Sequence, residues 1–104
     1  VWPAVSASEL QEAFAEIIRR AKLTTKHTVS KQELSVRAHM SSILRQLRDV
    51  RFVEFYELFE PSEGIAVVIV HFLALLELAK ETLIEITQVE AGAPIYIRLT
   101  QYHD

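Results

Sequence analysis

Residues 65–80 form an unbroken helical stretch, Ile65-Ala66-Val67-Val68-Ile69-Val70-His71-Phe72-Leu73-Ala74-Leu75-Leu76-Glu77-Leu78-Ala79-Lys80, in which only His71, Glu77 and Lys80 are polar. A helix in a small domain buries one stripe about 100° wide. Ile65, Val68, Ile69, Phe72, Leu76 and Ala79 fill one such stripe. Val67, Val70, Leu75 and Leu78 then keep part of their surface pointing elsewhere. A helix apolar all round must be covered all round. The chain has 104 residues, one core's worth, so little is left to cover a second face. The most apolar run, 65–76, is 12 residues with His71 inside it. A membrane span takes roughly 20, so this helix is expected to be buried or partner-facing, with no membrane association.

The remaining elements follow from spacing. Ser6 and Glu9 have capping-box spacing, and Ser8 is an alternative cap. Leu10, Ala13, Phe14, Ile17, Ile18 and Ala21 behind them form one stripe of an amphipathic helix over about 8–22. Thr24 to Thr28 reads as a polar loop, and Val29 to Leu34 as a short extended segment. Ser35 caps a second helix with the stripe Val36, Met40, Ile43, Leu44, Leu47 and Val50. Arg51 to Phe55 is a short strand, Tyr56 to Glu60 a helical turn broken at Pro61, and Gly64 opens the long helix. Residues 82–88 and 95–100 alternate as strands, with Ala91-Gly92-Ala93-Pro94 as the turn between them.

From Ser35 onward the order is helix, strand, short helix, long helix, strand, loop, strand. That is the winged-helix order, a helix-turn-helix with a β-hairpin wing. The fold expected is mainly α with a small antiparallel sheet, carrying an extra N-terminal helix. It forms a single domain over 1–104, with the N-terminal helix and lead-in at about 8–34 and the winged helix at 35–100. The opening Val1-Trp2-Pro3 in place of Met leads us to expect a C-terminal part of a longer protein.

A winged helix that reads DNA needs polar and basic side chains on the outer face of its long helix. This one is apolar. Residues 1–52 carry +4 and residues 53–104 carry −7, so the long helix and wing lie in the half that repels phosphate. Two readings remain for the helix's second face. Either the N-terminal helix closes over it, or it is a partner interface, as contiguous exposed apolar surface usually is. A loose basic cluster, Arg19, Arg20, Lys22, Lys26 and Lys31, allows at most weak or indirect DNA contact.

Catalysis and metal binding find no support. His27, His39, His71 and His103 lack ligand spacing, and cysteine is absent. There is no nucleophile elbow and no phosphate-cradling glycine loop. No catalytic, metal or cofactor site is therefore expected. The lack of cysteine fits a reducing, cytoplasmic compartment.

Val70 to Lys80, followed by Ile84-Glu85-Ile86-Thr87-Gln88 and Ile95-Tyr96-Ile97, resembles the end of the segregation and condensation protein A family, the bacterial kleisins of the SMC complex. Glu33-Leu34-Ser35-Val36-Arg37 and Leu58-Phe59 resemble it too, and the likeness covers most of residues 8–100. Many relatives place Pro and an aromatic after the acidic residue at the wing tip, where this chain has Ala91-Gly92 after Glu90. The resemblance implies a non-catalytic module that binds the cap side of an SMC ATPase head in chromosome condensation and segregation, on the nucleoid. Segregation and condensation protein B would bind elsewhere in the longer protein. Phe72 and Leu76 match the family's apolar contact positions, with Leu73, Leu75, Ile84, Ile95 and Ile97 as supporting candidates; plain core is the competing reading for each. Outside the resemblance, a DNA-binding regulator domain and a self-associating domain are the alternatives.

Overall fold

The structure, a computed structural model, describes residues 4–23 and 29–100. Helix α1 (Ala7–Ala21) starts at Ser6, whose hydroxyl accepts the Glu9 N–H at 3.1 Å. Ala13, Ile17 and Ala21, four residues apart, are its buried side. On its outer side Glu16 accepts hydrogen bonds from both Arg19 and Arg20, and the Arg19 guanidinium, with Arg20, holds the Glu16 carboxyl below its ordinary range. The loop expected over 24–28 lies outside the described residues.

The segment expected to be extended before the second helix is instead a 3-10 turn, Gln32–Leu34. Ser30 and Glu33 cause it: the Ser30 hydroxyl accepts the Glu33 N–H at 3.1 Å, and the Glu33 carboxylate accepts the Ser30 N–H at 3.0 Å. Two reciprocal local bonds outbid an extended conformation. Helix α2 (Val36–Leu47) is capped by Ser35, which accepts the Ala38 N–H, and buries Ile43 and Leu47. Val36 and Val50, at the ends of the expected stripe, are exposed.

Strand β1 is only Val53–Glu54. Two 3-10 turns follow, Phe55–Leu58 and Pro61–Glu63, in place of one helical turn. Gly64, at φ 94° and ψ 164°, makes the corner into helix α3 (Ile65–Lys80), a conformation that a side chain would strain. Helix α3 ends with the Leu83 N–H on the Leu78 carbonyl and the Thr82 N–H on the Ala79 carbonyl, a Schellman pattern. Thr82 occupies its left-handed position at φ 59°.

Strands β2 (Ile84–Gln88) and β3 (Ile95–Leu99) form the wing, antiparallel with Ile86 opposite Ile97. Sheet order is β1-β3-β2, with Val53 opposite Ile97 on the other side of β3. Arg98 bonds Glu85 directly across the hairpin at 2.8 Å. The fold is thus mainly α and winged-helix-like, with α1 added in front. One apolar core joins all the helices to the sheet through Ile17, Ile43, Leu47, Phe55, Leu75, Leu78 and Ile97. No helix among the described residues is long and apolar enough to cross a membrane.

Two polar constellations lock the elements together. The Glu9 carboxylate accepts the Gln88 side-chain amide at 3.0 Å and the Gly92 N–H at 3.1 Å. The Gln88 amide also donates to the Ala93 carbonyl at 2.9 Å, so a buried glutamine ties α1 to both ends of the wing loop. Glu9 therefore spends its carboxylate on the wing, where a capping box would have turned it back on its own helix.

Between α2 and α3, His39 and His71 meet Nδ1 to Nδ1 at 2.8 Å. His39 Nε2 lies 2.7 Å from the Glu33 carbonyl, which can only accept, so His39 carries its proton there. The Nδ1–Nδ1 contact holds one proton, donated by one ring and accepted by the other. Burial, and next the neighbouring His39, push His71 down to about 4; the Leu58 backbone opposes this without reaching hydrogen-bond geometry, leaving Nε2 unpartnered among the described residues.

Two outcomes are expected. Gln88→Ala leaves one lobe of the Glu9 carboxylate and the Ala93 carbonyl without their donor, and should cost about 1–2 kcal/mol in urea unfolding; an unchanged midpoint would show the clamp to be energetically idle. His71 has a folded pKa below its unfolded value of about 6.5, so the folded state disfavours its protonated form. Its contribution to stability is complete above about pH 6.5 and is lost as pH falls toward 4. Wild type should lose about 2 kcal/mol more than His71→Leu across that window, the part of the ring that meets solvent keeping the figure below the full shift. Parallel pH profiles of the two proteins would refute this assignment.

Candidate partner-binding face

Helix α3 is flanked on two sides and open on a third. Val67, Val68, Ala74, Leu75 and Leu78 are its buried arc. On one flank, Phe72 stacks on Phe14 of α1, ring centroids 3.9 Å apart and planes 10° from parallel. Phe59 and Phe55 extend this stack into an aromatic cluster, with Phe59 5.8 Å from Phe14 and 5.0 Å from Phe55. Helix α1 therefore belongs to the core and covers part of the second face.

What it leaves uncovered is the row Ile69, Leu73 and Leu76, at i, i+4 and i+7, which are 40%, 48% and 37% exposed. Half-buried Phe72 borders this row. Beyond Phe72, an open groove of about 680 Å³ between α1 and α3 is floored by Phe14, Ile18 and Phe72 and edged by Arg19 and Lys22.

This rotates the expected face. Val67, Leu75 and Leu78 were expected to point partly away from the core and are buried; Ile69 and Leu76 were expected to fill the core stripe and are exposed. Three polar residues in sixteen give periodicity too little contrast to say which side faces inward. Of the candidate contacts, Leu73 and Leu76 lie on the open row and Phe72 on its border. Leu75, Ile84, Ile95 and Ile97 are buried core residues. Ile69 was missed as a surface residue. Its i, i+4 spacing to Leu73 was legible, but the phase was not.

Chemistry is sparse here. No group of three or more His, Asp or Glu among the described residues could hold a metal ion. Half-buried His71 packs against Phe59 and His39 and does not face the open row. The face offers apolar area and shape.

Comparison with known proteins places the chain among relatives of one name. A family model described as Segregation and condensation protein ScpA matches residues 4–100. Segregation and condensation protein A of Xylella fastidiosa (strain 9a5c) is 43% identical over 101 residues, covering 97% of this chain and 33% of that protein. The protein of that name from Coxiella burnetii is 36% identical, over 94% of this chain and 37% of its own length. The one from Listeria monocytogenes serotype 4a (strain HCC23) is 38% identical, over 90% and 39%. No solved structure matches. The chain spans about a third of the length of the curated relatives it matches. With the family model spanning nearly all of its residues, the chain belongs to the segregation and condensation protein ScpA family.

Proposed function

We propose that this chain is a non-catalytic interaction module acting in chromosome segregation and condensation in the cytoplasm, and that its open α3 face docks on the ATPase head of an SMC protein. The observation that carries the reading is the row Ile69, Leu73 and Leu76, three large aliphatic side chains left in water side by side on a helix whose other flanks are packed. Exposed contiguous apolar surface costs solubility and is kept where it binds. The relatives' shared name supplies the chromosomal setting.

The mechanism is mechanical. Apolar area leaves water on docking, with well-packed aliphatic anchors carrying most of the energy. Helix α1 and the aromatic cluster hold α3 rigid, so little ordering is lost on binding. The basic edge of the groove at Lys22 would meet an acidic residue at the rim of the partner.

Calorimetric titration against the cognate SMC head tests this. Leu73→Arg and Leu76→Arg should fold as wild type by circular dichroism and lose at least about 2 kcal/mol of binding. Leu75→Ala should instead cost about 2–5 kcal/mol of folding stability, and bind in proportion to the fraction still folded. Full binding by both charged variants would remove the α3 row from the interface.

A further inference from the structure

Helix α2 carries a second surface, unlike the first in chemistry. Arg37, Ser41, Arg45 and Arg48 recur at i, i+4, i+8 and i+11, which puts them in one row along the helix. All four are exposed, while Ile43 and Leu47 on the opposite side are buried. The side chains of Arg37 and Arg45 make no ion pair or hydrogen bond among the described residues. Arg48 has only a loose contact to Asp49 at 3.9 Å, with both side chains mostly in water. Elsewhere arginines are neutralised: Arg19 and Arg20 by Glu16, Arg98 by Glu85. The basic cluster expected at the end of α1 is thus partly spent internally, and the arginines without a close ion-pair partner among the described residues lie along α2. Residues 29–52 hold five Arg or Lys against two Asp or Glu, +3 within a chain of −3.

We infer that the α2 row is a sequence-independent contact for the phosphate backbone of duplex DNA. Arginine presents a planar fork that matches a phosphate bidentately, and serine hydroxyls are regular phosphate donors. From Arg37 to Arg48 the helix rises about 16 Å, enough to meet several successive phosphates. The row contains no aromatic or aliphatic side chain, so it offers a partner charge and hydrogen-bond donors in place of apolar area. It offers no base reading either, because the helix that would enter a groove is the apolar α3. Since the row and the α3 face use different residues of different helices, the inference stands whether or not the SMC head docks on α3.

Fluorescence anisotropy of this chain with a labelled mixed-sequence duplex tests it. Three phosphate contacts predict a log–log salt slope of about −3, or about 40-fold weaker binding between about 50 and 200 mM salt. Arg37→Glu/Arg45→Glu/Arg48→Glu should weaken binding at least about tenfold, and Arg37→Gln/Arg45→Gln/Arg48→Gln by less, both folded by circular dichroism because the replaced side chains are exposed. Leu73→Ser should bind as wild type. The inference is overturned if the arginine variants bind like wild type, if Leu73→Ser abolishes binding, or if wild type ignores the duplex at about 50 mM salt. It is equally overturned if polyglutamate, and not the duplex, binds with this arginine dependence, since the row would then serve an acidic protein.

Discussion

Everything in this structure depends on covering a helix that is apolar on every side. A three-stranded sheet and one neighbouring helix can bury only part of α3, and the sheet here has one strand of just two residues. Helix α1 supplies the missing cover, and the Phe14–Phe72 stack is where it does so. Those two rings, with Phe55 and Phe59, connect α1, the turn after β1 and α3 in one aromatic cluster. Flat rings of this size give large buried area with few rotamers to freeze, so the contact fixes orientation as well as contributing energy.

Apolar packing alone would leave α1 free to slide. The Glu9 carboxylate removes that freedom by holding Gln88 and Gly92 at the far end of the chain. The glutamine that closes β2 thus has a structural reason to be there: its amide bridges α1 to the wing loop. The His39–His71 contact does the equivalent between α2 and α3, with one ring kept neutral by burial and by the other. Each constellation is a polar pair placed where a hydrophobic contact would not specify a register.

The result is a platform with two chemically distinct surfaces. One is the aliphatic row on α3 beside the groove to α1; the other is the arginine row on α2. Apolar area suits a protein that leaves water with it, and unpaired guanidinium groups suit a polyanion. The division matches the two proposed contacts, a protein partner on α3 and duplex DNA on α2.

The sequence by itself determined the elements and their order. Ser6 and Ser35 announce their helices because a hydroxyl satisfies a backbone N–H only a few residues away. The β2 and β3 alternation announces the wing because a pleated strand has period two. The likeness to the ScpA family was legible in the α3 sequence and the Gln88-terminated strand. Where local bonds competed with pattern, as at Ser30 and Glu33, the pattern misled, and a turn formed in place of an extended lead-in. Only the tertiary structure decided which side of α3 faces inward, and therefore that Ile69, Leu73 and Leu76 are open while Leu75, Ile84, Ile95 and Ile97 are core. Periodicity reports a face by contrast between polar and apolar positions, and α3 has almost none. The Glu9–Gln88 clamp was equally invisible, because its partners are 79 residues apart and meet only when α1 packs on α3 with its first turn beside the wing loop.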